Sequence, residues 1–191
     1  MSEATIYLLK AIGDLLTIAI LLNFFFRALK VDYYNPLVQG IIKVIDPPLS
    51  IFRTIIRPLY GIDFASLFSA VFTQAACFYL VALTGIITSD PITIVYWSFF
   101  SVILLSLRMI FWIMLLGIII SWVAPRSRHP AVALLVQVAD PFFRPFRIFL
   151  PPMGGLDFSP ILAFIFLNFL QILLRNFAVE AGLPVGLSMG F

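Results

Sequence analysis

A chain of 191 residues that is 62% hydrophobic and only 11% charged is not an ordinary soluble domain, which is roughly 45–50% apolar and about 25% charged. It carries more apolar surface than a soluble core of this length can hide, so lipid must solvate much of it. The formal net charge is only +3, and with one histidine and one cysteine the composition excludes an intramolecular disulfide, a thiolate cluster and a bis-histidine haem within one subunit.

The first residues, Met1-Ser2-Glu3-Ala4-Thr5, carry an acid and no Lys or Arg, so they do not read as a secretory signal peptide. A membrane-crossing helix needs about 20 mainly apolar residues, and non-helical backbone cannot face lipid. Four stretches qualify as spans: 11–29, 64–87, a window within 92–123, and 158–174. The third window is too long for one straight span, so residues 92–97 are expected at the interface. The fold class is an all-α membrane protein with four transmembrane helices.

The loops set the orientation. Arg27, Lys30, Lys43, Arg53 and Arg57 lie between spans one and two, and Arg126, Arg128, Arg144 and Arg147 between spans three and four. The short link near residues 88–91 has only Asp90. The positive-inside rule places both long loops in the cytoplasm and both termini in the periplasm of a bacterial inner membrane.

Residues 35–67 align without a gap to residues 129–161, an offset of 94 set by the step from Asn35 to His129. In so apolar a chain the informative matches are Pro36/Pro130, Asp46/Asp140, Pro47/Pro141, Arg53/Arg147, Gly61/Gly155 and Asp63/Asp157. The chain divides into repeats 1–90 and 91–191. Each holds an even number of spans, so the repeats are parallel, related by an axis along the membrane normal. Within each loop, Pro36 or Pro130 suits the first turn of a helix, while Asp46-Pro47 and Asp140-Pro141 are expected to end it. The segment is too short to span and fits an amphipathic helix in the interface. Gly61 and Gly155 make turns, and Asp63 and Asp157 cap the following span.

The doubled motifs NPL…DPP…FR…GID and HP…ADPFFRPFR…GGLDFSP, with Ser121–Val123 (SWV) before the second, resemble those of the YggT/YlmG family of bacterial inner-membrane proteins. The likeness covers nearly the whole chain. The first copy is more degenerate, with Ile51 where the second has Pro145. The resemblance implies a multi-pass membrane protein without an established enzymatic activity. It also implies links to osmotic or cation tolerance and, in cyanobacteria and plastids, to cytochrome assembly or to cell and nucleoid division.

The same offset carries into the spans, where Asp14 maps onto Arg108 and Gln74 onto Asn168. A lone Arg at the centre of a span costs roughly 2.5–3.5 kcal/mol on insertion scales, so it should face the bundle and pair. Asp14 and Arg108 are expected to form an ion pair across the repeat axis. A structural clamp is the plain role, a proton or ion path the sharper one, and pairing of Asp14 with Lys10 one turn away the alternative. Gln74 and Asn168 are expected to join helices by amide hydrogen bonds, with Asn23 and Gln171 extending the network.

Arg53, Arg57, Arg144 and Arg147 suit topology and contact with anionic lipids, or docking of a membrane-protein partner. Basic residues split over two loops form no track for nucleic acid. Asp46, Asp63, Asp140 and Asp157 read as caps and turn formers, His129 as a helix cap, and Cys77 as a small buried hydrophobe. No phosphate loop, nucleophile–base pair or metal-spaced cluster is present. The residues therefore favour a protein that is not an enzyme, binds no cofactor, and acts as a scaffold or assembly and homeostasis factor. The alternative is a small channel or transport accessory, for which four spans leave so little lumen that a path requires a homo-oligomer.

Overall fold

The computed structural model describes residues 3–58, 62–85, 87, 90–124, 127, 129–150 and 157–184. They form α1 (Glu3–Ala28), α2 (Pro36–Ile55), α3 (Phe64–Ala82), α4 (Pro91–Val123), α5 (Pro130–Phe149) and α6 (Ser159–Glu180). Of these, α1, α3, α4 and α6 are long and apolar enough to cross a membrane. Their outer surfaces carry apolar side chains such as Leu15, Phe72, Ile119, Ile165 and Phe169, which only lipid can solvate without cost.

Capping chemistry sets where the helices begin. Asn35 accepts the Leu37 N–H through Oδ1 at 3.0 Å, and His129 accepts the Ala131 N–H through Nδ1 at 3.2 Å. Each precedes a proline, whose missing N–H is no loss in the first turn. Asp63 accepts the Ser66 N–H and Asp90 the Thr93 N–H. Asp157 accepts the Ser159 N–H at 2.9 Å, two residues on. The turns expected at Gly61 and Gly155, and the basic residues Arg126 and Arg128, lie outside the described residues.

One expectation from the sequence is corrected. The helices do not end at Asp46-Pro47 or Asp140-Pro141: α2 continues through Pro47 and Pro48, and α5 through Pro141 and Pro145. A proline removes one helix hydrogen bond and crowds the carbonyl four residues back, but Pro47, Pro48 and Pro145 stand on exposed sides of their helices. The buried face runs on past them, with Ile45 and Leu49 on α2 and Ala139 and Phe143 on α5. The aspartates before the prolines are also held by arginines further along the same helix. Residues 92–97 are continuous with the span that follows them. They belong to the 33-residue α4, which at 1.5 Å per residue is about 50 Å long and so overhangs a hydrocarbon core of about 30 Å. Trp97 anchors that end by donating its indole N–H to the Ala181 carbonyl at 3.0 Å.

Helix α4 packs against α3, α5, α6 and α1, while α1 lies along α3. Helix α2 sits on α1 and α3, and α5 sits on α4 and α6. The main core joins Leu21, Phe26, Val38, Leu49, Met114 and Phe143; a smaller one gathers Phe78, Ile94, Trp97 and Leu183. Two glycines allow close approach. A Cβ on Gly13 would overlap Cys77 Sγ on α3, and one on Gly117 would lie 2.9 Å from the Ala139 Cβ on α5.

Candidate functional site

Two clusters of carboxylates and guanidinium groups fasten the connecting helices to the spans. In the first, Arg53 on α2 donates from Nη1 to Asp46 at 2.7 Å, and from Nη2 and Nε to Asp63 at 2.8 and 3.0 Å. Helix α1 adds Arg27, which donates to Asp46 at 3.2 Å, and Asn23, which donates to Asp46 at 2.9 Å. One arginine thus ties a residue in mid-α2 to the cap of α3, and α1 closes the cluster from behind.

The second cluster repeats this arrangement 94 residues later. Arg147 on α5 donates to Asp140 at 2.6 Å and to Asp157 at 2.9 Å. Its other members differ. The positions of Asn23 and Arg27 are taken by Gly117 and Ser121, and that of Ser50 by Arg144, which donates to Asp140 at 3.0 Å from an exposed position. The second cluster is accordingly more open: the Asp157 side chain is 31% exposed against 6% for Asp63.

All four carboxyl groups are held below the usual range. For Asp46 and Asp63 burial pushes upward, and the hydrogen bonds from Arg53, with those from Asn23 and Ser66, outweigh it. For Asp140 the Arg147 hydrogen bond dominates. Burial also pushes Asp157 up, and the bonds from Ser159 and Arg147 outweigh it. Charged at neutral pH and committed to fixed cations, these carboxylates serve as anchors. Among the described residues no group of three His, Cys, Asp or Glu side chains could hold a metal ion.

A third cluster lies inside the bundle. Lys10 donates to Asp14 at 2.6 Å, one turn away on α1. Gln74 on α3 donates to Asp14 at 2.8 Å and to Thr17 at 3.1 Å, and accepts from Ser101 on α4 at 3.3 Å. Asp14, Thr17 and Gln74 are fully buried. Asp14 therefore pairs with Lys10, the alternative to Arg108 that the sequence offers. Arg108 is half-buried on α4 and lies within the Coulomb field of Asp14. Gln74 joins three spans as expected. Asn168 does not join helices: it is exposed and donates to the Phe164 carbonyl of its own helix at 2.9 Å, because its face of α6 turns away from the bundle. Asn23 serves the first salt-bridged cluster rather than the Gln74 network.

Sequence reasoning missed Arg27 and Asn23 as parts of the first cluster. The available signal was their spacing of four on one face of α1, at the end where the basic loop begins.

A family model described as CCB3/YggT matches residues 2–84 and 96–178. A Pseudomonas aeruginosa protein, "Uncharacterized protein PA0392", is 36% identical over 99% of this chain and 98% of its own length. "Uncharacterized protein YggT" of Escherichia coli K12 is 37% identical over 82% of this chain and 81% of its own. The Arabidopsis thaliana "YlmG homolog protein 2, chloroplastic" is 43% identical over 29% of this chain and 22% of its own length. No solved structure matches the chain.

Proposed function

The chain belongs to the CCB3/YggT family, and from that membership and its salt-bridged clusters we propose that it is a non-catalytic, multi-pass protein of the bacterial inner membrane. In this reading it is a scaffold, or an assembly or homeostasis factor, that engages other membrane components through two basic interfacial helices. The chain is a tandem of parallel repeats, with α2 and α5 lying as amphipathic helices on the cytoplasmic surface and both termini in the periplasm. The observation that carries this reading is the matched pair of arginines. Arg53 and Arg147 each lock a connecting helix to the carboxylate in front of the next span. Such locks support two rigid surface helices for lipid and protein contact better than they support a reactive site. Crosslinking from positions 144 and 147 in native membranes, read by mass spectrometry, should return a specific membrane-protein partner. Ion flux through reconstituted protein, with no such partner, would reverse the choice.

A second reading, a channel or transport accessory in osmotic homeostasis, is favoured by the internal Lys10–Asp14–Gln74 cluster. There Asp14 Oδ2 has no hydrogen-bond partner among the described residues. Within either reading, Arg108 is the second cation answering Asp14 across the repeats. Exchanging the charges (Asp14→Arg with Arg108→Asp) tests this. Each single variant should be destabilised, and wild-type stability in both would reject the pairing.

A further inference from the structure

Where the first cluster is closed by α1, the second opens onto a cavity of about 580 Å³ between α4, α5 and α6. Its charged floor is Asp140, Arg147 and Asp157, and its walls include Ser121, Phe143 and Phe164. That size is typical of a site for a small molecule or headgroup. Its origin is in the sequence: Gly117 and Ser121 stand where the first copy has Asn23 and Arg27, so the N–H donors that α1 delivers to Asp46 are missing from α4.

We propose that this cavity is a binding site for the headgroup of a zwitterionic aminophospholipid, its primary ammonium taking the place held by Arg27 in the first copy. The charges select this class. Arg144 and Arg147 already balance Asp140 and Asp157 formally, so neither a free cation nor a free anion is favoured. Arg144, with a side chain 72% exposed, bonds Asp140 from beside the cavity; in this proposal it meets the phosphate while the ammonium meets the carboxylates. The groups missing relative to the first copy are hydrogen-bond donors, which a primary ammonium supplies and a quaternary one does not. Lipid rather than a soluble amine fits the apolar walls, which continue into the exposed apolar surface of Trp122 and Ile161.

The inference rests on the reading that places α5 at the membrane surface. That placement is tested separately by labelling Arg144→Cys, in a Cys77→Ala background, with a membrane-impermeant thiol reagent. Full-length protein in nanodiscs of mixed phosphatidylethanolamine, phosphatidylcholine and phosphatidylglycerol is released into detergent, and retained lipid is read by native mass spectrometry. Phosphatidylethanolamine should be retained roughly fivefold over the other two, the worth of about one net hydrogen bond. The variant Ser121→Arg, which rebuilds the arginine of the first copy, should lose that preference. Equal retention of phosphatidylcholine, or an unchanged preference in Ser121→Arg, overturns the inference; should that variant not fold, the wild-type ranking decides alone. Phosphoethanolamine, the headgroup without tails, should not compete, and competition by it would overturn the assignment to a lipid. Labelling at position 144 without lipid preference removes this site and leaves the scaffold reading standing.

Discussion

Replacing the central arginine of each cluster with methionine should cost more stability in the first half than in the second. In Arg53→Met, Asp63 loses both Arg53 hydrogen bonds and keeps its Ser66 contacts and Arg27 at 3.6 Å. Removing one partner of a fully buried pair costs about 3–5 kcal/mol. Asp46 is a third exposed and retains Arg27 and Asn23, so the figure should fall to about 2–3 kcal/mol. In Arg147→Met the lost partners are each about a third exposed, and solvent-accessible pairs contribute about 0–1 kcal/mol each, giving roughly 1 kcal/mol in all. The assay is reversible unfolding of the purified protein in mixed micelles with increasing SDS, followed by tryptophan fluorescence. If Arg147→Met were as damaging as Arg53→Met, the argument from burial would be wrong. Adding Asp63→Asn to Arg53→Met should recover part of the loss by removing the stranded charge.

Gly13→Ala should destabilise by about 1–3 kcal/mol through overpacking against Cys77 Sγ, and Cys77→Ala should relieve it; a Gly13→Ala protein that melts like wild type would show that α1 and α3 part freely. Because Asp46, Asp63, Asp140 and Asp157 are lowered in the folded state, their contribution is complete above the usual value of 3.8. It is lost only as pH falls below that value through the folded ones. The melting temperature should therefore hold between about pH 7 and 5 and drop below about 4, and a drop already complete at pH 5 would contradict the paired state. Gln74→Leu removes one hydrogen bond each from Asp14, Thr17 and Ser101, while Asp14 keeps Lys10 and Thr17 keeps the Gly13 carbonyl, so it should cost about 1–3 kcal/mol, whereas Asn168→Leu, on an exposed face of α6, should change little; equal effects in the same unfolding assay would refute the difference in burial.

Much of the fold was legible because hydropathy and helix capping are local. Apolar runs of about twenty residues mark the long helices, and Asn35-Pro36 and His129-Pro130 mark the starts of the connecting ones. The paired Asp46/Asp140, Arg53/Arg147 and Asp63/Asp157 were visible as special residue types kept at one offset, and the structure brings each set of three together. The misreadings came from applying local rules where neighbours decide. The proline breaks were expected from a dipeptide preference worth only a few kcal/mol, which the buried face of α2 and the Arg53–Asp46 bond override. The shared register of Gln74 and Asn168 predicts one role for both, yet no register says which face of a helix meets a neighbour.

Composition and local pattern are enough for the solvent, the number of long apolar helices, the caps at His129, Asp63 and Asp157, and the charged residues kept in both halves, but not for the pairing of those charges. These follow from composition and from residues a few positions apart. Only the tertiary structure decided what completes each triad. Arg27 and Asn23 reach Asp46 because α1 packs beside α2, while at the equivalent place on α4, Gly117 and Ser121 leave the space open. A side chain too short to cross a helix–helix gap leaves no trace in hydropathy, and the gap exists only once three helices surround it.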